Sequence, residues 1–249
     1  MQPYFFPYLG YYQLAHTVDQ FVFLDDVNFI NRGWINRNHI LLDGASHLFT
    51  VPLMEASQNR LIKDIDVDPG MRWKTKFLKQ IQHAYHSAPM FEVAYGYIEK
   101  LITGDIPRIS ALAAGSIRAV IEFLGTQMRP IFSSELRYDR SLKGQKRIMA
   151  ICQALGASTY VNPIGGTHLY DPDEFQEHGL ELRFLKTNRI SYRQWEPDRF
   201  VANLSMIDVL MFNSPDQITA LLSEYLLMTR QEVCDSHGYT LAADHSRCL

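Results

Sequence analysis

The opening segment, residues 1–15, constrains the fold of this chain more than any other stretch. It reads MQPYFFPYLGYYQLA and contains two prolines, one glycine and six aromatic residues. Because proline has no N–H to donate, Pro3 and Pro7 exclude a strand in the middle of a sheet. We therefore expect a short edge strand that breaks into a shaped loop, with Gly10 permitting close backbone approach where a helix begins. A strand, a Pro/Gly loop and a helix in this order is how α/β nucleotide-binding folds build an anion site.

Composition limits the class of protein and its partners. The chain has 249 residues, of which 47% are hydrophobic and 20% charged, and its net charge of -3 provides no general attraction to nucleic acid. No apolar run approaches the roughly 20 residues of a membrane span, and no secretory leader is evident, so we predict a cytoplasmic protein without membrane insertion. The chain has three cysteines, Cys152, Cys234 and Cys248, and such a small, odd number argues against a disulfide framework.

Strand and helix patterns alternate along the chain. Short apolar runs predict strands near residues 21–24, 47–53, 62–67, 128–132, 158–161 and 180–185. Helical spacing predicts helices over 73–102 with a break at Pro89, and over 109–124, 144–155, 173–178, 205–212 and 215–227. This order predicts an α/β fold with a mainly parallel sheet. We expect one domain over residues 1–230, with a helical insert at about 72–125 and a polar C-terminal tail over 231–249.

Polar groups follow two of the predicted strands, where α/β sheets place binding groups. Asp25 and Asp26 come directly after the first strand, and Ser134 and Glu135 follow another. The aspartates would accept a proton from a substrate amine, orient an amine or hydroxyl, or hold Mg²⁺. Since neighbouring strand residues alternate in direction, we expect only one aspartate to face a pocket. The alternative is a turn pair bound by backbone N–H groups.

Two N-terminal segments are predicted to bind an anion. The first is the loop that contains Pro7, Tyr8, Gly10 and Tyr11. The phenols of this loop and the N–H groups of its residues other than proline would face a phosphate or carboxylate; alternatively, the aromatic rings plug the core. The second segment combines guanidinium, indole and amide groups suited to a phosphate and a sugar or base. Its members are Arg32, Trp34, Asn36 and Arg37, of which the first three would share a face if the segment were extended.

A glycine-rich loop later in the chain is a weaker candidate. Gly165, Gly166 and Thr167 lie between a strand and a helix, where backbone N–H groups can wrap a phosphate, but the P-loop lysine is missing. His168 follows directly and is a candidate general base, since histidine titrates near neutrality. The histidine spacings predict no zinc site. Asp208 stands at an apolar helical position and needs a partner, for which Arg32 or Arg37 is expected.

Several motifs together resemble the WbqC-like family. They are residues 2–11 (QPYFFPYLGY), 24–29 (LDDVNF), 34–38 (WINRN), 133–136 (SSEL), 155–158 (LGAS) and 204–208 (LSMID), so the resemblance extends from about residue 1 to 228. It implies a bacterial protein of O-antigen or other surface-polysaccharide biosynthesis that modifies an amino sugar or related metabolite with an amino-acid-type acyl group. It also adds Gln2, at the head of the first motif, to the predicted binding residues.

A second resemblance, to the nucleotidylyltransferase and class I synthetase superfamily, concerns the fold. Residues 8–11 (YLGY) stand where that superfamily has His-x-Gly-His, so the glycine is kept and both histidines are tyrosines. A phenol donates a hydrogen bond but carries no positive charge at neutral pH. The resemblance implies a similar pocket shape, while adenylyl transfer would lose its cationic groups.

These observations favour a transferase. The expected activity is the transfer of a small acyl or aminoacyl group to an amine on a phosphorylated small molecule such as a sugar nucleotide. No G-x-S-x-G serine motif is present and Cys152 lies in an apolar helical pattern, so direct transfer is expected rather than a covalent intermediate. The alternatives are a nucleotidylyl- or adenylate-forming enzyme and a non-catalytic binding protein of a polysaccharide-assembly system. The sequence indicates neither a cofactor nor an oligomeric state.

Overall fold

Helices and short strands alternate in the computed structural model, which describes residues 1–126, 129–196 and 198–236. The helices are α1 (Leu9–Thr17), α2 (Met71–Tyr85), α3 (Phe91–Thr103), α4 (Ile109–Phe123), α5 (Gly144–Ala154), α6 (Pro172–Glu177), α7 (Met206–Phe212), α8 (Pro215–Leu222) and α9 (Arg230–Ser236). The strands are β1 (Val22–Phe23), β2 (Arg37–Leu42), β3 (Ala45–Thr50), β4 (Leu53–Met54), β5 (Asp66–Val67), β6 (Ile131–Phe132), β7 (Thr159–Pro163), β8 (Glu181–Thr187) and β9 (Tyr225–Met228). Short 3₁₀ turns cover Ile62–Asp64, Ser133–Glu135 and Ile164–Leu169.

The strands form small sheets. β1 pairs in parallel with β6, β2 with β3 and β4 with β5 in antiparallel fashion, and β7, β8 and β9 form a sheet of three. In that last sheet β7 and β8 are parallel and β9 is antiparallel to β8. The mixed α/β class is confirmed. The described strands do not form the mainly parallel sheet that we predicted, because several are only two residues long and offer few ladder hydrogen bonds.

By its internal contacts the chain divides into two compact units. Among the described residues, the first contains those of the ranges 1–12, 20–134 and 190–223; the second contains residues 13–19, 135–189 and 224–236. Both units therefore combine distant stretches of sequence. The single domain over residues 1–230 stays a prediction.

The core of the first unit contains the rings of the opening segment. Phe5 packs against Phe49 of β3 and Phe77 of α2, with ring centroids 6.0 and 5.9 Å apart, and Phe6 lies 4.9 Å from Phe5. Both rings are fully buried. The β2–β3 hairpin and α2 thus close around the N-terminal loop, which holds that loop in place.

Three helices occupy the stretch where the sequence predicts a helical insert. α2 buries one stripe, consisting of Phe77, Ile81, Ala84 and Tyr85. α3 and α4 approach closely at Gly115, where a Cβ atom would lie 2.9 Å from the Leu101 side chain. Even the longest described helices, α2 and α4, have 15 residues, and none in the described part of the chain has the length and apolar character needed to cross a membrane.

The second unit is built on the β7–β8–β9 sheet. Phe175 of α6 and Phe184 of β8 are completely buried, and Tyr160 stacks on Phe175 with centroids 5.7 Å apart. Two segments differ from the prediction. The helix predicted over 215–227 ends at Leu222, and β9 follows because its backbone pairs with β8. The predicted tail begins with α9, while Cys248 lies outside the described residues.

Candidate functional site

Three parallel segments of the first unit end side by side. The Met1 nitrogen donates to the Val22 carbonyl at 2.8 Å, and Leu24 N–H donates to the Met1 carbonyl at 2.8 Å. This is the hydrogen-bond pattern of parallel strands, so Gln2 runs beside the end of β1. β6 pairs with β1 in parallel as well. The residues that follow the three segments therefore meet at one edge, which is the edge where parallel sheets bind ligands.

Two aspartates and two serines form a cluster at this edge, which we call the Asp–Ser cluster (Asp25, Asp26, Ser133 and Ser134). The Ser133 hydroxyl lies 2.5 Å from Asp26 Oδ1 and 3.2 Å from Asp25 Oδ1. Ser134 donates its N–H to Asp25 Oδ1 at 3.0 Å and its hydroxyl to Asp25 Oδ2 at 2.7 Å. Both carboxylates are 4% exposed and Ser133 is fully buried.

The two aspartates differ in their hydrogen bonding. Both carboxylate oxygens of Asp25 receive donors from Ser134, which ties the end of β1 to the end of β6. The single Ser133 proton is thus left for Asp26, its nearer neighbour. Both aspartates reach the same hydroxyl because the chain leaves the extended conformation after β1, and the expectation that only one of them faces a pocket stays a prediction.

Buried carboxylates with hydroxyl partners can accept a proton or hold an ammonium group or another cation. Asp25 makes no ion pair within the described residues. Across residues 1–126, 129–196 and 198–236, no group of three or more His, Cys, Asp and Glu side chains is arranged to hold a metal ion.

The tyrosines of the opening segment separate into exposed and buried members. Tyr8 is 37% exposed, whereas Tyr11 is buried and donates its hydroxyl to the Gln2 carbonyl at 2.8 Å. Burial raises the pKa of both phenols, so they stay neutral hydrogen-bond donors. Tyr11 therefore supports the segment around Gln2 that runs beside the end of β1, and Tyr8 presents its ring to the surface. Pro7 is buried and its carbonyl accepts the Met206 N–H at 2.8 Å; Gly10 is buried in the first turn of α1.

The segment over 32–37 turns instead of extending. Arg32 adopts a left-handed backbone conformation, with φ of 59°, and is exposed, so it shares no strand face with Trp34 and Asn36. The Arg37 guanidinium lies 5.6 Å from the centre of the Trp34 ring and its Nε donates to the Gly33 carbonyl at 2.9 Å. Asn36 donates its amide to the Val51 carbonyl at 2.8 Å and so extends the hairpin. Arg37 and Trp34 form one surface pair.

Asp208 is held by neutral donors, and the prediction of an arginine partner was wrong. Its Oδ1 accepts the Tyr85 hydroxyl at 2.8 Å, and its Oδ2 accepts the Tyr192 hydroxyl at 2.7 Å and the Gln194 amide at 2.8 Å. Asp208 is completely buried, and burial raises the pKa of its carboxyl above the ordinary value despite these donors. The donors come from two separate parts of the sequence, Tyr85 from α2 and Tyr192 and Gln194 from the segment before α7, and none of them carried a local signal.

The remaining predicted residues belong to the second unit. Gly165, Gly166, Thr167 and His168 lie in the 3₁₀ turn Ile164–Leu169. Thr167 donates its hydroxyl to the Ile164 carbonyl at 2.5 Å, and a Cβ atom at Gly166 would clash with the Asn162 amide nitrogen. Gly166 therefore packs closely against the Asn162 side chain. His168 and Glu135 are exposed.

Comparisons with known proteins agree with the resemblance noted in the sequence. The model of the WbqC-like protein family matches residues 2–220. Uncharacterized protein Rv1507c of Mycobacterium tuberculosis is similar to this chain, with 25% identity over 235 residues that cover 93% of this chain and 97% of the relative. No solved structure matches the chain. Since the family model spans the Asp–Ser cluster, the opening loop and the Asp208 network alike, the chain belongs to the WbqC-like protein family.

Proposed function

We propose that this protein is an enzyme of bacterial surface-polysaccharide biosynthesis that transfers a small acyl or aminoacyl group to an amine on a phosphorylated small molecule such as a sugar nucleotide. The observation that carries the proposal is the Asp–Ser cluster at the carboxyl end of the parallel segments. Family membership supports the polysaccharide setting. Asp25 is buried and makes no ion pair within the described residues, which favours a ligand that brings its own positive charge, as an amine does.

In the proposed reaction the substrate nitrogen, bound as an ammonium, first releases one proton to solvent, and the neutral amine then attacks the carbonyl carbon of the acyl donor. A C–N bond forms, the bond from the carbonyl carbon to the leaving group breaks, and the leaving group departs with that electron pair. The attacking nitrogen becomes strongly acidic as the bond forms, so a carboxylate suffices to take its proton. Asp26 is assigned this role because its Oδ1 lies at 2.5 Å from the buried Ser133 hydroxyl, the shortest contact in the Asp–Ser cluster.

The anionic part of the substrate needs donors on the same unit. Arg37 has no ion pair in the described part of the chain, and the Trp34 ring beside it is 43% exposed. A guanidinium next to an indole suits a phosphate joined to a sugar or base. Tyr8, exposed and neutral, adds a phenol donor. His168 stays a predicted general base of the second unit.

Calorimetric titration with two related ligands tests the proposal. UDP-glucosamine carries a free amine, and UDP-N-acetylglucosamine carries the same sugar with the amine blocked. We expect the free amine to bind the wild-type protein more tightly, and Asp26→Asn to weaken it about tenfold or more, since a hydrogen bond to a charged group contributes about 1.5–3 kcal/mol. Asp105→Asn is the matched control, because Asp105 is exposed. It should change neither affinity.

Three results would oppose the proposal. Absence of heat with both ligands would exclude sugar nucleotides as the substrate class. Equal weakening of both ligands by Asp26→Asn would show that the carboxylate does not recognise the amine. Binding of ATP with release of pyrophosphate would favour the nucleotidylyl- or adenylate-forming alternative. Thermal melting of each variant shows whether it is folded before it is titrated.

A further inference from the structure

An open groove on the first unit lies beside α2, on residues that the sequence analysis did not select. Its volume is about 670 Å³. Leu42, at the end of β2, and Met71, at the start of α2, supply apolar lining. The groove differs in its residues from the Asp–Ser cluster, so it constitutes a second candidate binding surface.

The α2 side of the groove is strongly basic. Arg72, Lys76, Lys79 and His83 line it, and α2 contains no aspartate or glutamate between residues 71 and 85. Within the described residues, neither the guanidinium nor the two ammonium groups make an ion pair. His83 is the member closest to an acid, with its Nε2 3.9 Å from Asp43 Oδ1. The protein as a whole carries a net charge of -3, so this positive surface is a local feature.

The spacing of these basic side chains fits a linear ligand. Positions 72, 76, 79 and 83 follow each other at intervals of four, three and four residues, which places them on one stripe of a helix. At 1.5 Å per residue the stripe is about 16 Å long. A ligand that fills it must carry several negative charges along an extended chain.

The lining also limits the class of polyanion. Among the described residues, no Phe, Tyr or Trp side chain lines the groove; Trp73, although on α2, donates its indole N–H to the Asp68 carbonyl at 2.7 Å. Proteins that bind single-stranded nucleic acid stack bases on aromatic side chains, and helices that lie on membranes bury an apolar face with aromatic anchors. A polymer of acidic sugars needs neither feature, since it presents carboxylates or sulfates at regular intervals and hydroxyls between them.

We propose that the α2 groove binds a linear acidic polysaccharide through Arg72, Lys76 and Lys79. This inference does not depend on the proposed transferase activity. The groove would bring the protein to a growing or finished acidic polymer, whereas the Asp–Ser cluster would act on a small molecule.

Fluorescence anisotropy with a labelled oligogalacturonate of about ten sugar units, long enough to span the stripe, tests the proposal. The triple variant Arg72→Gln/Lys76→Gln/Lys79→Gln removes the groove cations. Its matched control, Lys100→Gln/Lys143→Gln/Lys146→Gln, removes the same charge from exposed lysines elsewhere. We expect the groove variant to raise Kd about tenfold or more and the control less than about twofold, with wild-type affinity falling as salt is raised.

Other outcomes would overturn the proposal. Lack of binding to oligogalacturonate, or equal binding of a neutral maltodextrin, would exclude recognition of an acidic sugar chain. An equal loss in both triple variants would indicate general charge attraction. Tighter binding of single-stranded DNA or of anionic phospholipid vesicles, lost in the groove variant, would assign the groove to nucleic acid or to a membrane. Because all six substituted side chains lie at the helix surfaces or in exposed turns, melting curves should confirm that both variants are folded.

Discussion

Tyr85 is expected to contribute more to stability than any other donor in the Asp208 network, because its hydroxyl serves two buried partners. It donates to Asp208 Oδ1 at 2.8 Å and accepts the Leu41 backbone N–H at 2.9 Å. Tyr85→Phe removes a hydrogen bond to a buried carboxylate, worth about 1.5–3 kcal/mol, and leaves a buried N–H unpaired at a cost of about 1–3 kcal/mol. We expect the free energy of unfolding to fall by about 2.5–6 kcal/mol.

Tyr192→Phe is the matched comparison. The Tyr192 hydroxyl bonds to Asp208 Oδ2 at 2.7 Å, and that oxygen keeps the Gln194 amide when the hydroxyl is removed. The expected loss is about 1.5–2 kcal/mol. Urea unfolding of the two variants at pH 7, analysed with a common slope, measures the difference. If Tyr85→Phe destabilises the protein no more than Tyr192→Phe, the argument that one hydroxyl satisfies both groups is wrong.

Three further predictions concern buried groups. Burial raises the pKa of the Asp208 carboxyl above its ordinary value of 3.8, so protonation of Asp208 stabilises the folded protein fully below pH 3.8, and this stabilisation is lost as pH rises through the raised folded-state pKa. Urea unfolding over a pH series should therefore show the wild type losing stability relative to Asp208→Asn in that window. A constant difference between the two proteins would contradict this. The Tyr12 hydroxyl is buried without a partner in the described chain, so Tyr12→Phe should raise the melting temperature by a gain of about 1 kcal/mol, while Tyr11→Phe, which loses its bond to Gln2, should lower it. Burial raises the pKa of Cys152 to about 11, so peptide mapping should find it alkylated by iodoacetamide at pH 8 far more slowly in folded than in unfolded protein.

The composition of the Asp–Ser cluster was predictable from the sequence, but its geometry was not. Local patterns placed Asp25 and Asp26 after one strand and Ser134 after another, because a short apolar run followed by polar residues is a local signal. Their meeting depends on the parallel pairing of β1 and β6, whose polar residues are 108 positions apart in the chain. Strands of two residues carry too little pattern to specify such a partner.

The same physical reason explains the segments that differed from prediction. The apolar residues of β9 continue the helical spacing of α8, and only pairing with β8, more than 35 residues earlier, makes them a strand. For Asp208, the sequence correctly indicated that a carboxylate on an apolar helix face needs partners. It favoured a cation, because charge is visible in a sequence, whereas neutral donors such as Tyr85 and Gln194 are common and become partners only through packing.

The opening motif, residues 2–11, shapes the candidate site because most of its residues hold the N-terminal loop in place. Phe6 adopts a positive φ of 42°, a strained conformation for a residue with a bulky side chain. Its backbone is held on both sides: Phe6 N–H donates to the Ser116 hydroxyl at 2.8 Å, and its carbonyl accepts from the Asn38 amide and the Ser205 hydroxyl, each at 2.7 Å. Three elements distant in sequence thus stabilise one residue of the loop. Since Gln2 precedes this anchored residue and Tyr8 follows it, the buried rings fix the loop on which both predicted binding residues lie, and a substitution at Ser116 or Asn38 would disturb the site without contacting it.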